Sequence, residues 1–223
     1  MENSTDKKMT GGEAIVKSLI NEGVETIFGL PGIQLDPMFN ALHDSSNEVR
    51  VINARHEQGV AYMAFGYAQS TGKPGVYAVV PGPGILNTTA ALSTAYACNS
   101  RVLAITGQIP SSYIGRELGM LHEIPNQLSI LEGLTKFARR INYPSDAPAI
   151  VSEAFKNMRS GRPRPTAIEM PMDIMQHKSE VTLRKFTDGY SPPAADPDLI
   201  LSLIHISEPT RQAEISYAVF CLK

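Results

Sequence analysis

The chain is short of cysteine and of net charge, and each shortage closes off a class of function. Its two cysteines, Cys98 and Cys221, stand at no metal-like spacing and fit a reducing cytoplasm without structural disulfides. A net charge of −2, with lysines and arginines scattered along the chain, gives no electrostatic ground for a nucleic-acid or anionic-membrane partner. No apolar run approaches the ~20 residues that span a bilayer. The opening MENSTDKKMT is polar with no apolar segment behind it, so no signal peptide is expected. No internal repeat is visible.

What is present is an alternation. The 223 residues, 43% of them hydrophobic, suffice for one well-filled domain and the start of another. Thr10 can cap a helix from about Gly12 to Asn21, Gly23 ends it, and Val24 to Phe28 reads as a strand. After a Gly-Pro turn and a helical stretch from Leu35 to His43, the pattern is cleanest between Val49 and Gly107. VRVINA, GVYAVV and RVLAITG are β runs, and HEQGVAYMAFGYAQSTG and NTTAALSTAYAC between them are helical, with PGPG as a tight loop. Strands alternating with helices of this length predict right-handed crossovers and a parallel sheet. Continuous apolar strands predict that helices cover both faces. The expected fold is therefore α/β, a doubly wound, mostly parallel sheet of about six strands, the last being TAIEMPMDI. Cys98, at the end of an alanine-rich helix, is expected to be a small buried apolar residue. The SSYIGRELGMLHEIPNQ stretch has no such order and predicts a long loop or broken helix near a site.

In an open parallel sheet, ligands sit beyond the carboxyl ends of the strands. Three loops are predicted on that edge: Gly29 to Gly32, Arg55 to Glu57, and Pro81 to Gly84. Singly they say little, because a glutamate in a helix's first turn compensates the helix dipole and GPG makes a turn. Together and in order, FGLPG, RHEQGVAYMAFGYAQSTGKPGV, VVPGPGILN and AITGQIP resemble the pyrimidine-binding domain of thiamine-diphosphate enzymes, in the acetolactate synthase and 2-oxo acid decarboxylase group. The resemblance covers about Met9 to Met175.

The resemblance implies roles position by position. Glu57 matches the cofactor-activating glutamate, which hydrogen-bonds N1′ of the aminopyrimidine; the role needs a carboxyl group able to hold a proton. Val60, Ala61 and Met63 are expected to keep its surroundings partly dry. Pro31 and Gly32 match the loop that approaches the cofactor across a subunit boundary. Gly82, Gly84 and Asn87 match the loop beside the pyrimidine ring, and Gln108 a glutamine lining the pocket. His122 and Glu123 stand where relatives carry a polar pair near the substrate. The family's Mg²⁺ and diphosphate are held through a Gly-Asp-Gly motif and a downstream Asn, neither of which lies in this chain, so no metal site is expected here. The implied cofactor is thiamine diphosphate, with Mg²⁺ held by another domain and FAD possible in a full-length protein. The implied partner is the diphosphate-binding domain of another subunit, in a homodimer or homotetramer. The implied reaction is decarboxylation of a 2-oxo acid and carboligation to a second.

Two alternatives stand beside this one. A simple 2-oxo acid decarboxylase or lyase of the same superfamily would share every motif. A non-catalytic nucleotide-binding or regulatory domain should carry G-x-G-x-x-G after its first strand, and that fingerprint is absent. Residues 1–178 are expected to form the pyrimidine-binding domain, and 179–200 a polar, proline-bearing linker toward a further domain. From Leu201 the sequence LSLIHISEPTRQAEISYAVFCLK resembles the conceptual translation of a transposase-type sequencing-library adapter, with Gln212 to Glu214 at the index position. On that reading 201–223 is a non-native tail, His205 and Cys221 carry no functional weight, and the natural chain is expected to continue past Ile200 as a longer, active protein.

Overall fold

The computed structural model describes residues 7–183, 194 and 196–201. The described part of the adapter-like tail is Leu201 alone; the rest of that expectation, and most of the expected linker, lies outside the described residues.

Strand β1 (Lys7–Thr10) runs directly into α1 (Gly11–Asn21). The junction is a reciprocal cap. Glu13 N–H donates to Thr10 Oγ1 at 3.1 Å, and Thr10 N–H donates to Glu13 Oε2 at 2.6 Å. Losing the cap in Thr10→Ala is expected to cost ~1 kcal/mol, read as a lower urea midpoint at unchanged slope.

The chain continues through β2 (Thr26–Gly29), α2 (Asp36–Asp44), β3 (Arg50–Asn53), α3 (Glu57–Thr71) and β4 (Gly75–Val79). Next come α4 (Pro83–Asn87), α5 (Thr89–Ala97), β5 (Val102–Gln108), α6 (Gln127–Leu134) and β6 (Phe137–Arg140). It ends with α7 (Ala147–Arg159), β7 (Thr166–Pro171), α8 (Met172–Gln176) and β8 (Lys178–Val181). Six strands make one sheet in the order β3-β2-β4-β5-β7-β6, and every neighbouring pair is parallel. This is the expected α/β sheet. Alternate residues feed opposite faces, as a period of two requires. Val76, Ala78, Leu103 and Ile105 join Ile15, Leu19, Leu35 and Phe155 on one side. Tyr77, Val79, Ala104 and Ala167 join Val60, Ala64 and Leu92 on the other. Helices thus cover both faces, and β4, β5 and β7 are buried along their whole length.

Four details differ from the sequence reading. Strand β6, of sequence FARR, lies at the sheet edge, where polar side chains reach solvent and erase the apolar signal. β8 pairs antiparallel with β1, Val181 opposite Lys7, so the residues expected to open a linker at 179 form a ribbon on this domain. Pro83 and Gly84 belong to the first turn of α4 rather than to a loop, since proline fits that turn without losing a hydrogen bond. Cys98 is exposed and its thiol is free. The buried stripe of α5 is Ala91, Leu92 and Ala95, and Cys98 caps the helix beyond it.

Candidate functional site

From β2 the chain goes outward to β3 and then crosses back to β4, on the other side of β2. The strand order therefore reverses between β2 and β4, and the crevice at such a switch point is where open α/β sheets bind ligands. All three glycine- and glutamate-bearing loops leave the carboxyl ends of β2, β3 and β4 at this place.

Val80, the first residue past β4, shows how closely they meet. A Cβ on Gly32 would lie 2.5 Å from Val80 Cγ1, and one on Gly84 would lie 2.6 Å from Val80 Cγ2. Neither loop could come so near with a side chain at that position. The same Gly84 Cβ would be 3.7 Å from Glu57 Oε1, so the backbone of this turn passes close to the carboxylate. Pro31 is exposed beside Gly32.

Glu57 is the first residue of α3. His56 caps the helix, its Nδ1 accepting from Gln58 N–H at 3.2 Å. The Glu57 side chain turns to α4, where Asn87 Nδ2 donates to Oε2 at 3.0 Å. Glu57 is half-buried and Asn87 exposed. The expected dry surroundings are only partly present: Val60 and Ala61 are buried, but against the sheet, and Met63 faces outward, 36% exposed. Tyr62 and Leu86 are also exposed, 39% and 38%.

The other expected residues lie beside this centre. Gln108 ends β5, buried; its Oε1 accepts Ile109 N–H at 2.8 Å and its Nε2 lies 3.5 Å from Glu169 Oε2. It lines a cleft of about 670 Å³ with Ile114, Glu123, Gln127 and Arg140. His122 Nδ1 is 3.2 Å from Gln34 Oε1. Glu123 is engaged within its own turn, accepting Met120 N–H at 2.8 Å.

Sequence reasoning missed a buried polar network. Glu169, in the middle of β7, is 0% exposed. Arg140 Nε donates to its Oε1 at 2.6 Å, and Gln127 Nε2 donates to its Oε2 at 2.7 Å. Gln127 also donates to the Gly107 carbonyl at 3.0 Å and accepts Gly82 N–H at 2.9 Å. A glutamate inside the run TAIEMP was the available signal, because a fully buried glutamate requires a partner.

Among the described residues no helix is long and apolar enough to cross a membrane. Nor do three or more His, Cys, Asp or Glu side chains there gather in a way that could hold a metal ion. The centre is a carboxylate and an amide between glycine loops at the switch point of an α/β sheet. The family model for the thiamine pyrophosphate enzyme, N-terminal TPP binding domain, matches residues 9–130, and the chain belongs to this family. It is 37% identical over 169 residues to a Pseudomonas aeruginosa protein named a probable 2-ketoarginine decarboxylase, a match covering 76% of this chain and 30% of that one. An acetolactate synthase of Arthrospira platensis is 40% identical over 170 residues, covering 75% of this chain and 29% of its own. The mitochondrial acetolactate synthase catalytic subunit of Saccharomyces cerevisiae is 33% identical over 166 residues, covering 74% and 24%. The chain thus matches less than a third of the length of these relatives.

Proposed function

We propose that this domain binds the aminopyrimidine ring of thiamine diphosphate within a longer enzyme that decarboxylates a 2-oxo acid and, in the acetolactate-synthase manner, joins the product to a second 2-oxo acid. The observation that carries the reading is the half-buried Glu57 carboxylate, held 3.0 Å from the Asn87 amide with the Gly84 backbone passing close by. When bound, the cofactor supplies an electron sink for the carbanion left by loss of CO₂. The chain's own residues supply the rest. Glu57 would hold a proton at the ring nitrogen and Asn87 would fix the carboxylate's direction, while Gly32 and Gly84 let the loops that carry Pro31 and Gly82 close on Val80 beside them.

The relatives' names support both branches, a decarboxylase in one and acetolactate synthases in others. Glu57 is half-open to solvent, and the helices that carry Glu57 and Asn87 also leave Tyr62, Met63 and Leu86 exposed. We therefore place the diphosphate-binding domain of another subunit over this surface, in a homodimer or homotetramer, with Mg²⁺ on that domain and FAD, where used, on a further one. On this reading the domain alone is inactive. We place the enzyme in a reducing cytoplasm, a reading the scarcity of cysteine supports.

The test is to purify the full gene product, strip it of cofactor with chelator, and measure CO₂ release from 2-oxo acids. Release that returns only with thiamine diphosphate and Mg²⁺ is expected. Release that is indifferent to the cofactor, or no release from any 2-oxo acid, would overturn the proposal.

A further inference from the structure

The buried network and the site are joined by hydrogen bonds and the short helix α4. Gln127 stands at the first turn of α6 with its amide fully used. It grips β7 through Glu169 at 2.7 Å and β5 through the Gly107 carbonyl at 3.0 Å. Its oxygen accepts Gly82 N–H at 2.9 Å. The Gly82 carbonyl accepts Leu86 N–H at 3.0 Å, so α4 starts from this residue. Asn87, the last residue of α4, then reaches Glu57 Oε2 at 3.0 Å. Tyr77 fixes the far end of α4, its hydroxyl donating to Thr88 Oγ1 at 2.9 Å; burial pushes that phenol well above its usual range, so it stays a donor.

Gly82 needs holding. Its φ is +60° and ψ −119°, a conformation that side-chain-bearing residues avoid, and a Cβ there would lie 2.4 Å from the His122 carbonyl oxygen. The segment pressing on it is itself strained, with φ of +69° at His122 and +47° at Asn126. Only a fixed partner keeps such a turn in one place, and Gln127 is that partner. Its position is set in turn by a carboxylate that has no exposure and an ion pair to Arg140 at 2.6 Å.

We propose that Gln127, anchored by Glu169, is a positioning residue for Glu57: it clamps the Gly82 turn, and through α4 it sets where Asn87 meets the carboxylate. The catalytic consequence rests on the cofactor reading above; the clamp itself does not.

The test compares amide hydrogen exchange in the 223-residue chain with Gln127→Met, which keeps the side chain's length and loses its polar bonds. Exchange at Gly82 and Leu86 is expected to speed up about tenfold, as loss of a net hydrogen bond implies. Ile105 and Thr106, in the middle of β5, should change by no more than the overall loss of stability. Acceleration that is uniform across the sheet, or absent at Gly82, would overturn the clamp. Glu169→Gln keeps an oxygen for the Gln127 amide and should loosen Gly82 less than Gln127→Met does; it also serves if the methionine variant does not fold, and unchanged Gly82 exchange in it would overturn the anchoring by Glu169. In the cofactor-loaded enzyme, Gln127→Met should lower kcat about tenfold with the 2-oxo acid KM unchanged. An unchanged kcat beside accelerated Gly82 exchange would overturn the positioning role. Exchange is read without cofactor, so its outcome is independent of whether the proposed activity is found.

Discussion

Glu57→Gln is expected to slow exchange of the C2 proton of bound thiamine diphosphate by at least ~100-fold in the full-length enzyme, the low end for a positioned acid–base group. The substitution isolates the proton. Glutamine has nearly the same shape, and its carbonyl oxygen can still accept from Asn87 Nδ2, which now lies 3.0 Å from the carboxylate. What it cannot do is carry a proton to or from a ring nitrogen. The competing explanation is that Glu57 only balances the dipole of α3, whose first residue it is. That explanation predicts a stability change of ~0.3–1 kcal/mol and no change in exchange. A urea titration and an exchange measurement on the same variant therefore separate the two. Exchange at the wild-type rate would remove Glu57 from the chemistry, whatever happened to stability.

Why Glu57 could be singled out at all, while Glu169 could not, shows what the sequence carries. Glu57 sits at a change of period, where β-like VRVINA gives way to helix-like spacing, which puts it on the ligand edge; its role came from the resemblance of the motifs around it. The strands β2, β4, β5 and β7 were legible because burial on both faces leaves an apolar run in the sequence, and β3, though an edge strand, kept Val51 and Ile52. The Thr10 cap was legible because its partner Glu13 lies one helical turn away. β6 was not legible, because an edge strand need only bury one face and its two arginines resemble loop residues. The Glu169 network was illegible for a different reason. Its members, Gln108, Gln127, Arg140 and Glu169, come from four elements and have no shared spacing; the parallel register, with Gln108 opposite Pro171 and Arg140 opposite Glu169, gathers three of them, and the first residue of α6 adds Gln127. Asn87 lies between these cases. Its motif placed it beside the ring, but its direct bond to Glu57 depends on Pro83 and Gly84 beginning a helix, which PGPG read as a loop conceals.

Glycine to alanine has opposite signs at two positions of this domain. Gly75→Ala is expected to destabilise the domain by about 3 kcal/mol, the upper part of the usual range for overpacking a core. A Cβ at Gly75 would lie 2.0 Å from the Ala64 carbonyl oxygen and 2.7 Å from its carbon. Both are backbone atoms of α3, so no side chain can turn aside; the helix or the strand must move. The gain from replacing a strand glycine, ~0.5–1 kcal/mol, is too small to offset this. Gly66→Ala lies on α3 too, but its Cβ would have nothing within 4 Å, and the same gain should appear there unopposed as a rise in stability. Urea midpoints for the two variants, at equal slopes, provide the check; a Gly75→Ala domain as stable as wild type would mean that α3 is not pinned to β4 at Ala64. The contact matters beyond stability. Ala61, Ala64 and Ala68 are the small residues through which α3 lies on the sheet, and Glu57 is that helix's first residue. A helix pushed off β4 carries its carboxylate away from Asn87, so Gly75→Ala should also weaken the loaded enzyme's C2 proton exchange in the fraction that remains folded, while Gly66→Ala should leave it intact.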